Sequence, residues 1–368
     1  MDDDTHAPPG RQPHNGISQA LAEGRAKIDA EGNVVPTKRF GFVTTAQSRK
    51  RARRIEWLIP DLIPELPGLA ALFVGDTGTG KSTLVHTLAD QYTRAGPWSV
   101  LWIGTEETEV FDLRTLALPP NDAIERVEPA LPGLNAAAHL GEVIEAFKFD
   151  VHAIVIDPIR DIQVAHDSIE IGNSNASVRQ SLSHLRRYGV PIIGITHFSK
   201  AQGALIQRVM GATDWTAVPR VVHGLIRLRT GDIRLGRLVN NVGDKRGVWP
   251  VYLDRHEVTD SQGKDTEVVL ARLGQCDRAA DLQEVHDADK RRGAEAVGKE
   301  AELREFVEAQ GGDVSHVELN AWMEEHGGFG SPTTRSKYRQ RVLNKQISGQ
   351  GRDKRVRYSL NTQGGDSP

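Results

Sequence analysis

The sequence predicts an α/β protein: a mostly parallel sheet covered by helices, antiparallel hairpins added to one edge, and a small basic module at the C-terminal end. Three observations predict it. From Glu56 to about Asp254 short apolar runs alternate with helical stretches, the pattern of strands buried on both faces and joined by crossover helices. After Arg220 the runs become short and β-rich and are separated by turn sequences such as Thr230-Gly231-Asp232, which read as hairpins. Between Gly328 and Tyr358 nine Lys or Arg face a single acid, Asp353, in a chain whose net charge is -3.

Composition bounds the class. At about 150 residues per domain, the 368 residues make two to three domains. Hydrophobic residues are 38% and charged residues 26%. No apolar run approaches the roughly 18 residues that span a bilayer, and no basic-then-apolar leader opens the chain, so membrane and secreted classes drop out. Cys276 is the only cysteine, which excludes an intrachain disulfide and a cysteine-cluster zinc site and fits a reducing cytoplasm.

Taken in order, residues 1–54 open with three aspartates and end in a basic run, seven Lys or Arg and no acid between Lys38 and Arg54. They read as a disordered basic arm. Residues 55–274 form the α/β core. Its strands are expected at Leu69 to Val74, Ser99 to Gly104, His152 to Ile156 and Pro191 to Thr196, with helices near Lys81 to Arg94, Asn135 to Phe147 and Ser174 to Tyr188. Val222 to Arg229, Ile233 to Asn240 and Val248 to Asp254 supply the edge hairpins. Residues 275–299 are charged and Ala-rich, a helical or flexible linker. Residues 300–360 read as three helices, Glu300 to Gln310, Val314 to His326 and Pro332 to Lys345, and a hairpin through Ile347 to Leu360. Residues 361–368 are a disordered tail.

Gly75-Asp76-Thr77-Gly78-Thr79-Gly80-Lys81-Ser82, followed by Thr83, matches GxxxxGK[ST] between an apolar strand and a helical pattern. Glycines let successive backbone N–H groups turn onto phosphate oxygens, the helix N-terminus adds positive charge, Lys81 reaches the β and γ phosphates, and Ser82 ligates magnesium. The implied cofactors are ATP and Mg2+. Asp157 ends the apolar run Ala153 to Ile156, where a phosphoryl-transfer site needs a carboxylate for magnesium. Thr105-Glu106-Glu107 follows another strand; Glu106, ahead of Glu107, is the candidate base for the attacking water. Thr196-His197-Phe198-Ser199-Lys200 closes the fourth strand, with His197 the candidate γ-phosphate sensor and Lys200 a second.

Together with Glu56-Trp57-Leu58-Ile59-Pro60, Ile156-Asp157-Pro158, Ser177-Val178-Arg179, Arg208-Val209-Met210-Gly211-Ala212, Ala217-Val218-Pro219-Arg220 and Asn240-Asn241-Val242-Gly243, these segments resemble the RecA-like hexameric ATPases of the RepA type, the AAA_25 group of plasmid and phage replication helicases. The resemblance covers about residues 56 to 255. It implies a RecA-like P-loop NTPase core, Lys81 and Ser82 on nucleotide and magnesium, Glu106 activating water, Asp157 as the Walker B acid and His197 sensing the γ phosphate. It also implies a homo-hexamer or other ring in which a neighbour inserts a cation. The family commonly carries Lys before the Asn pair, or Lys-x-Arg, where Val239, Asn240 and Asn241 stand here. The finger then comes from Lys245 or Arg246, or from Arg227, Arg229 or Arg220, or is missing. Arg208 is a candidate DNA or phosphate contact.

In the C-terminal module Arg335 with Arg339 and Lys337 with Arg341 are spaced i,i+4, so a helix spreads cations along one face. With the basic hairpin behind it, the helix opening at Ser331-Pro332 resembles a winged helix-turn-helix. The candidate DNA contacts are Arg335, Lys337, Arg339, Arg341, Lys354 and Arg355. Two functions compete: a helicase- or translocase-type ATPase ring in phage or plasmid DNA replication, acting on single- or double-stranded DNA, and a nucleotide-switched initiator, loader or transcriptional regulator with slow hydrolysis.

Overall fold

The computed structural model describes residues 26–28, 34–36, 45, 48–49, 54–104, 108–127, 140–146, 150–160, 179, 182, 185–209, 214–326, 329–348 and 355–360. The chain forms two compact units, residues 1–285 and 286–368.

The first unit is organised by a nine-stranded sheet. Its strands are β5 (Gly68–Gly75), β6 (Val100–Gly104), β7 (Ile124–Arg126), β8 (Ala153–Asp157), β9 (Pro191–His197), β10 (Val221–Arg227), β11 (Ile233–Asn240), β12 (Val248–Thr259) and β13 (Asp265–Leu273). They lie in the order β13-β12-β11-β10-β5-β9-β8-β6-β7. The six strands from β10 to β7 are parallel, and β10 to β13 pair antiparallel along one edge. Two further pairs precede the sheet: β1 (Ala26–Ile28) with β2 (Val34–Pro36), and β3 (Trp57–Ile59) with β4 (Ile63–Pro64). The first lies inside the arm expected to be disordered; its β-branched residues Ile28, Val34 and Val35 favour extended backbone, and Ile28 stands opposite Val34.

The apolar runs form strands because both faces of the sheet are covered. Leu72 and Val74 of β5 enter one core with Ile154 and Ile156 of β8. Ala71 and Phe73 enter the opposite core with Ala153 and Val155. The helix α1 (Lys81–Arg94) covers the second face through Leu84, Val85 and Leu88. Among the described residues the unit also has helices α2 (Thr108–Leu116), α3 (Leu140–Ala146) and α4 (Asp214–Ala217) and 3-10 turns at Leu185–Tyr188 and Leu205–Arg208. The helical stretch expected over Ser174 to Tyr188 lies largely outside the described residues.

Strand β13 carries no sequence expectation. Asp265 and Glu267 at its start are exposed, Val268, Leu270 and Ala271 are buried, and β12 pairs with it from Val251↔Leu273 to Thr259↔Asp265. Charges at Asp265, Glu267 and Arg272 interrupt its apolar pattern, while Val268 and Val269 are residue types that favour a strand.

The second unit opens within α5 (Leu282–Ala309), one continuous helix across the segment read as a linker. Then come β14 (Asp313–Ser315), α6 (His316–Glu325), α7 (Pro332–Val342), β15 (Leu343–Ser348) and β16 (Arg355–Leu360). The three strands form an antiparallel sheet, β14-β16-β15. Leu303, Val307, Leu319, Met323, Phe329 and Val342 fill its core. Ser315 and Glu318 form a capping box at the start of α6, and Ser331 caps α7 ahead of Pro332.

Candidate functional site

The site grows from the end of β5. Gly75 sits in register with His197 of β9 and with Leu225 of β10; a Cβ on Gly75 would stand 2.7 Å from the Leu225 carbonyl, so only glycine fits. Gly78 and Gly80 take φ of 76° and 82°, the left-handed region open to glycine. Gly80 is the N-cap of α1, where no side chain caps the helix and no acid occupies the first turn. Backbone N–H groups at that end are left to an anion.

Lys81 is 5% exposed. Its Nζ donates to the Asp76 carbonyl at 3.0 Å and lies 3.2 Å from His197 Nδ1. An ammonium cannot accept, so Nδ1 accepts, and the ring proton of a neutral His197 sits on Nε2. Thr79 Oγ1 also donates to the Asp76 carbonyl, at 2.7 Å. A cavity of about 440 Å³ opens here, lined by the loop residues Thr77 to Thr83 other than Thr79 and by Asp157 and His197. Ser82 and Asp157 give it two hard oxygen ligands, a donor set that fits Mg2+. The loop amides and Lys81 fit a polyphosphate.

Three residues that the sequence did not single out share the cavity: Arg114, Leu253 and Val269. Arg114 lies buried on α2; one arginine in an unremarked helical turn carries no signal in a single sequence. Leu253 and Val269 come from the β12–β13 ribbon, and Leu253 reaches to 3.1 Å from where a Gly80 Cβ would stand. Recognising them required the pairing of β12 with β13.

The remaining candidates divide by partner. Arg208 Nη2 donates to Asp76 Oδ1 at 2.7 Å. Arg227 Nη2 donates to the Gly78 carbonyl at 3.0 Å, so this finger candidate touches the phosphate loop of its own chain. Lys245 is ion-paired with Asp281 at 3.3 Å. Arg246 and Arg229 are exposed, and Arg220 is half-buried. Arg237, 6% exposed, holds the loop beside Arg246 by donating to the carbonyls of Asp61, Asp244 and Arg246. Burial pushes its guanidinium below the usual arginine range. Lys200 is exposed. Glu106 and Glu107 lie outside the described residues, between the end of β6, where Gly104 is in register with Asp157, and the start of α2.

In the second unit several predicted cations are engaged internally. Arg335 donates to Glu324 at 2.6 Å, Arg341 to Glu300 at 3.2 Å and Arg357 to Asp313 at 2.5 Å. Arg339 donates to Asn320 Oδ1 at 2.8 Å and lies over the Tyr358 ring. Lys337, Arg341, Lys345 and Arg355 are exposed; Lys354 lies outside the described residues.

A glycine-rich loop between a buried strand and a helix, with an acid and a histidine at neighbouring strand ends, is the arrangement of a P-loop nucleotide site on a mostly parallel sheet. Residues 35–203 match the AAA domain family, AAA_25. Among solved structures the chain is similar to the flagellar accessory protein FlaH from Methanocaldococcus jannaschii, at 15% identity and a TM-score of 0.39 over 57% of this chain and 91% of that one. No curated protein matches it in sequence. Among the described residues no helix is long and apolar enough to cross a membrane.

Proposed function

We propose that this chain is an ATP-hydrolysing, DNA-binding ring protein of the helicase or translocase type, serving phage or plasmid DNA replication. The observation that supports it most is the convergence of the phosphate loop, Asp157 and His197 on one cavity, in a chain that also carries a basic segment between Gly328 and Tyr358. Lys81 and the loop amides hold the phosphates. Ser82 and Asp157 hold Mg2+, which neutralises charge developing on the transferred phosphoryl group. Glu106 orients and deprotonates the water, and His197 Nε2–H donates to the γ phosphate. A neighbour's cation completes the site; Arg246 is the first to test, because Lys245 and Arg227 are engaged within their own chain.

The second unit has the order helix–strand–helix–helix–strand–strand, which supports a winged helix-turn-helix presenting α7 and the β15–β16 hairpin to DNA. That order also favours a second reading, a nucleotide-switched initiator, loader or regulator that recognises a duplex site. Steady-state ATP hydrolysis, alone and with single- or double-stranded DNA, separates the two, with Lys81→Ala as the blank. Strong stimulation by single strands supports the motor. Slow hydrolysis indifferent to DNA, beside tight duplex binding, supports the switch. Hydrolysis by Lys81→Ala at the wild-type rate overturns both.

A further inference from the structure

Asp76 puts a carboxylate on the first turn of a loop that receives anions. Its side chain is 51% exposed, and Arg208, itself 15% exposed, holds it at 2.7 Å. Arg208 is placed from the other side of the site. Its guanidinium lies 4.8 Å over the Phe198 ring, Ser199 N donates to its carbonyl at 2.7 Å, and Phe198 bridges Val209. Residues 198–209 are therefore a closed loop that begins directly after His197. The contacts form a circuit. Lys81 reaches His197 Nδ1 and the Asp76 carbonyl, His197 leads to Phe198, Phe198 supports Arg208, and Arg208 returns to the Asp76 carboxylate.

We propose that Arg208 is a positioning residue for nucleotide: by neutralising Asp76 and tying the 198–209 loop to the phosphate loop, it sets the affinity of the site for a polyphosphate. This rests on the P-loop reading of the cavity and deepens it. Without Arg208 the carboxylate, one residue before the cavity-lining Thr77, is left uncompensated beside the phosphate loop. At a partly solvated position one such charge a few ångströms away weakens binding on the order of tenfold. Removing that charge from Asp76 restores binding, which a packing role for Arg208 does not predict.

The test is equilibrium binding of a fluorescent ATP analogue with Mg2+ to the full chain and to Arg208→Ala, Arg208→Lys, Asp76→Asn and the double variant Arg208→Ala/Asp76→Asn. Arg208→Ala should raise Kd on the order of tenfold, with the loss shrinking as salt is raised. Asp76→Asn alone should bind more tightly than wild type. The double variant should return to within about threefold of wild type, the coupling expected of residues that act as a pair. Arg208→Lys, which keeps the charge and loses the stacking, should stay within about threefold of wild type; it carries the test if the alanine variant folds poorly. Wild-type affinity in Arg208→Ala, or a double variant as weak as Arg208→Ala, overturns the proposal. So does intact nucleotide affinity beside weakened DNA binding, which would make Arg208 a DNA contact. Failure of the P-loop reading looks different: Lys81→Ala then binds the analogue as tightly as wild type, and the proposal falls with it.

Discussion

The cations around the phosphate loop and those of the C-terminal unit are held by different sets of partners. In the first unit Lys81 and Arg227 donate to backbone carbonyls of the loop, while Arg208 is paired with the Asp76 carboxylate. In the second, Arg335, Arg341 and Arg357 donate to carboxylates, and their charge is cancelled locally. All three acids, Glu324, Glu300 and Asp313, lie outside the Gly328 to Tyr358 window whose net charge looked so positive in sequence. Charge density along a chain is thus a poor measure of the field a folded surface presents. The side chains left to attract a polyanion are those that the fold neither buries nor pairs.

The contrast can be broken first at Lys81. Lys81→Ala should lower ATP turnover by about 10³-fold or more, because in the proposed function that cation holds the transferring phosphates. DNA affinity measured without nucleotide should be retained. Loss of both together would mean that the two units do not divide the work.

Next in size is the core of the second unit. Phe329 is fully buried, with Trp322 and Tyr338 against it at centroid distances of 5.3 and 5.5 Å. Phe329→Ala should cost about 3–5 kcal/mol. Differential scanning calorimetry should show a transition lost or lowered, while ATP hydrolysis without DNA persists.

A pH series sharpens the comparison from the other side. His86 and His223 are buried in the first unit, and burial pushes both down to about 4 from 6.5. His223 donates Nε2–H to the Leu62 carbonyl at 2.8 Å, and His86 packs edge-on against Trp102 and Phe111. Both stay neutral in the fold while the unfolded imidazoles titrate near 6.5. Their stabilisation is complete above that value and is lost as pH falls toward 4, by about 3 kcal/mol for each group. The thermal midpoint of the first unit should therefore drop between pH 7 and 4.5, and His86→Leu should reduce the pH dependence.

The smallest effects separate the exposed cations from the paired ones. Lys337→Ala should weaken DNA binding and reduce the slope of log K against log salt by about 0.9 for one lost phosphate contact on duplex DNA. Arg335→Ala, held by Glu324, should leave that slope unchanged and cost less than about 1 kcal/mol of stability. Equal slopes in the two variants would show that the Arg335 pair opens on DNA.

By itself the sequence determined the α/β class of fold and the glycine-rich loop that lines the cavity. Both are written in local order: Leu69 to Val74 is apolar enough to be a strand buried on both faces, and Gly78 and Gly80 stand where only glycine turns the chain. Asp157 and His197 were legible for the same reason, since each ends an apolar run. The tertiary structure alone decided which other groups meet them. Arg114 enters the cavity from a helix, Leu253 and Val269 from two paired strands, and Arg208 crosses 132 positions of sequence to neutralise Asp76. Whether a basic residue is paired, buried or free likewise depends on acids distant in the chain. A carboxylate's reach is a few ångströms in space, and sequence separation does not measure it.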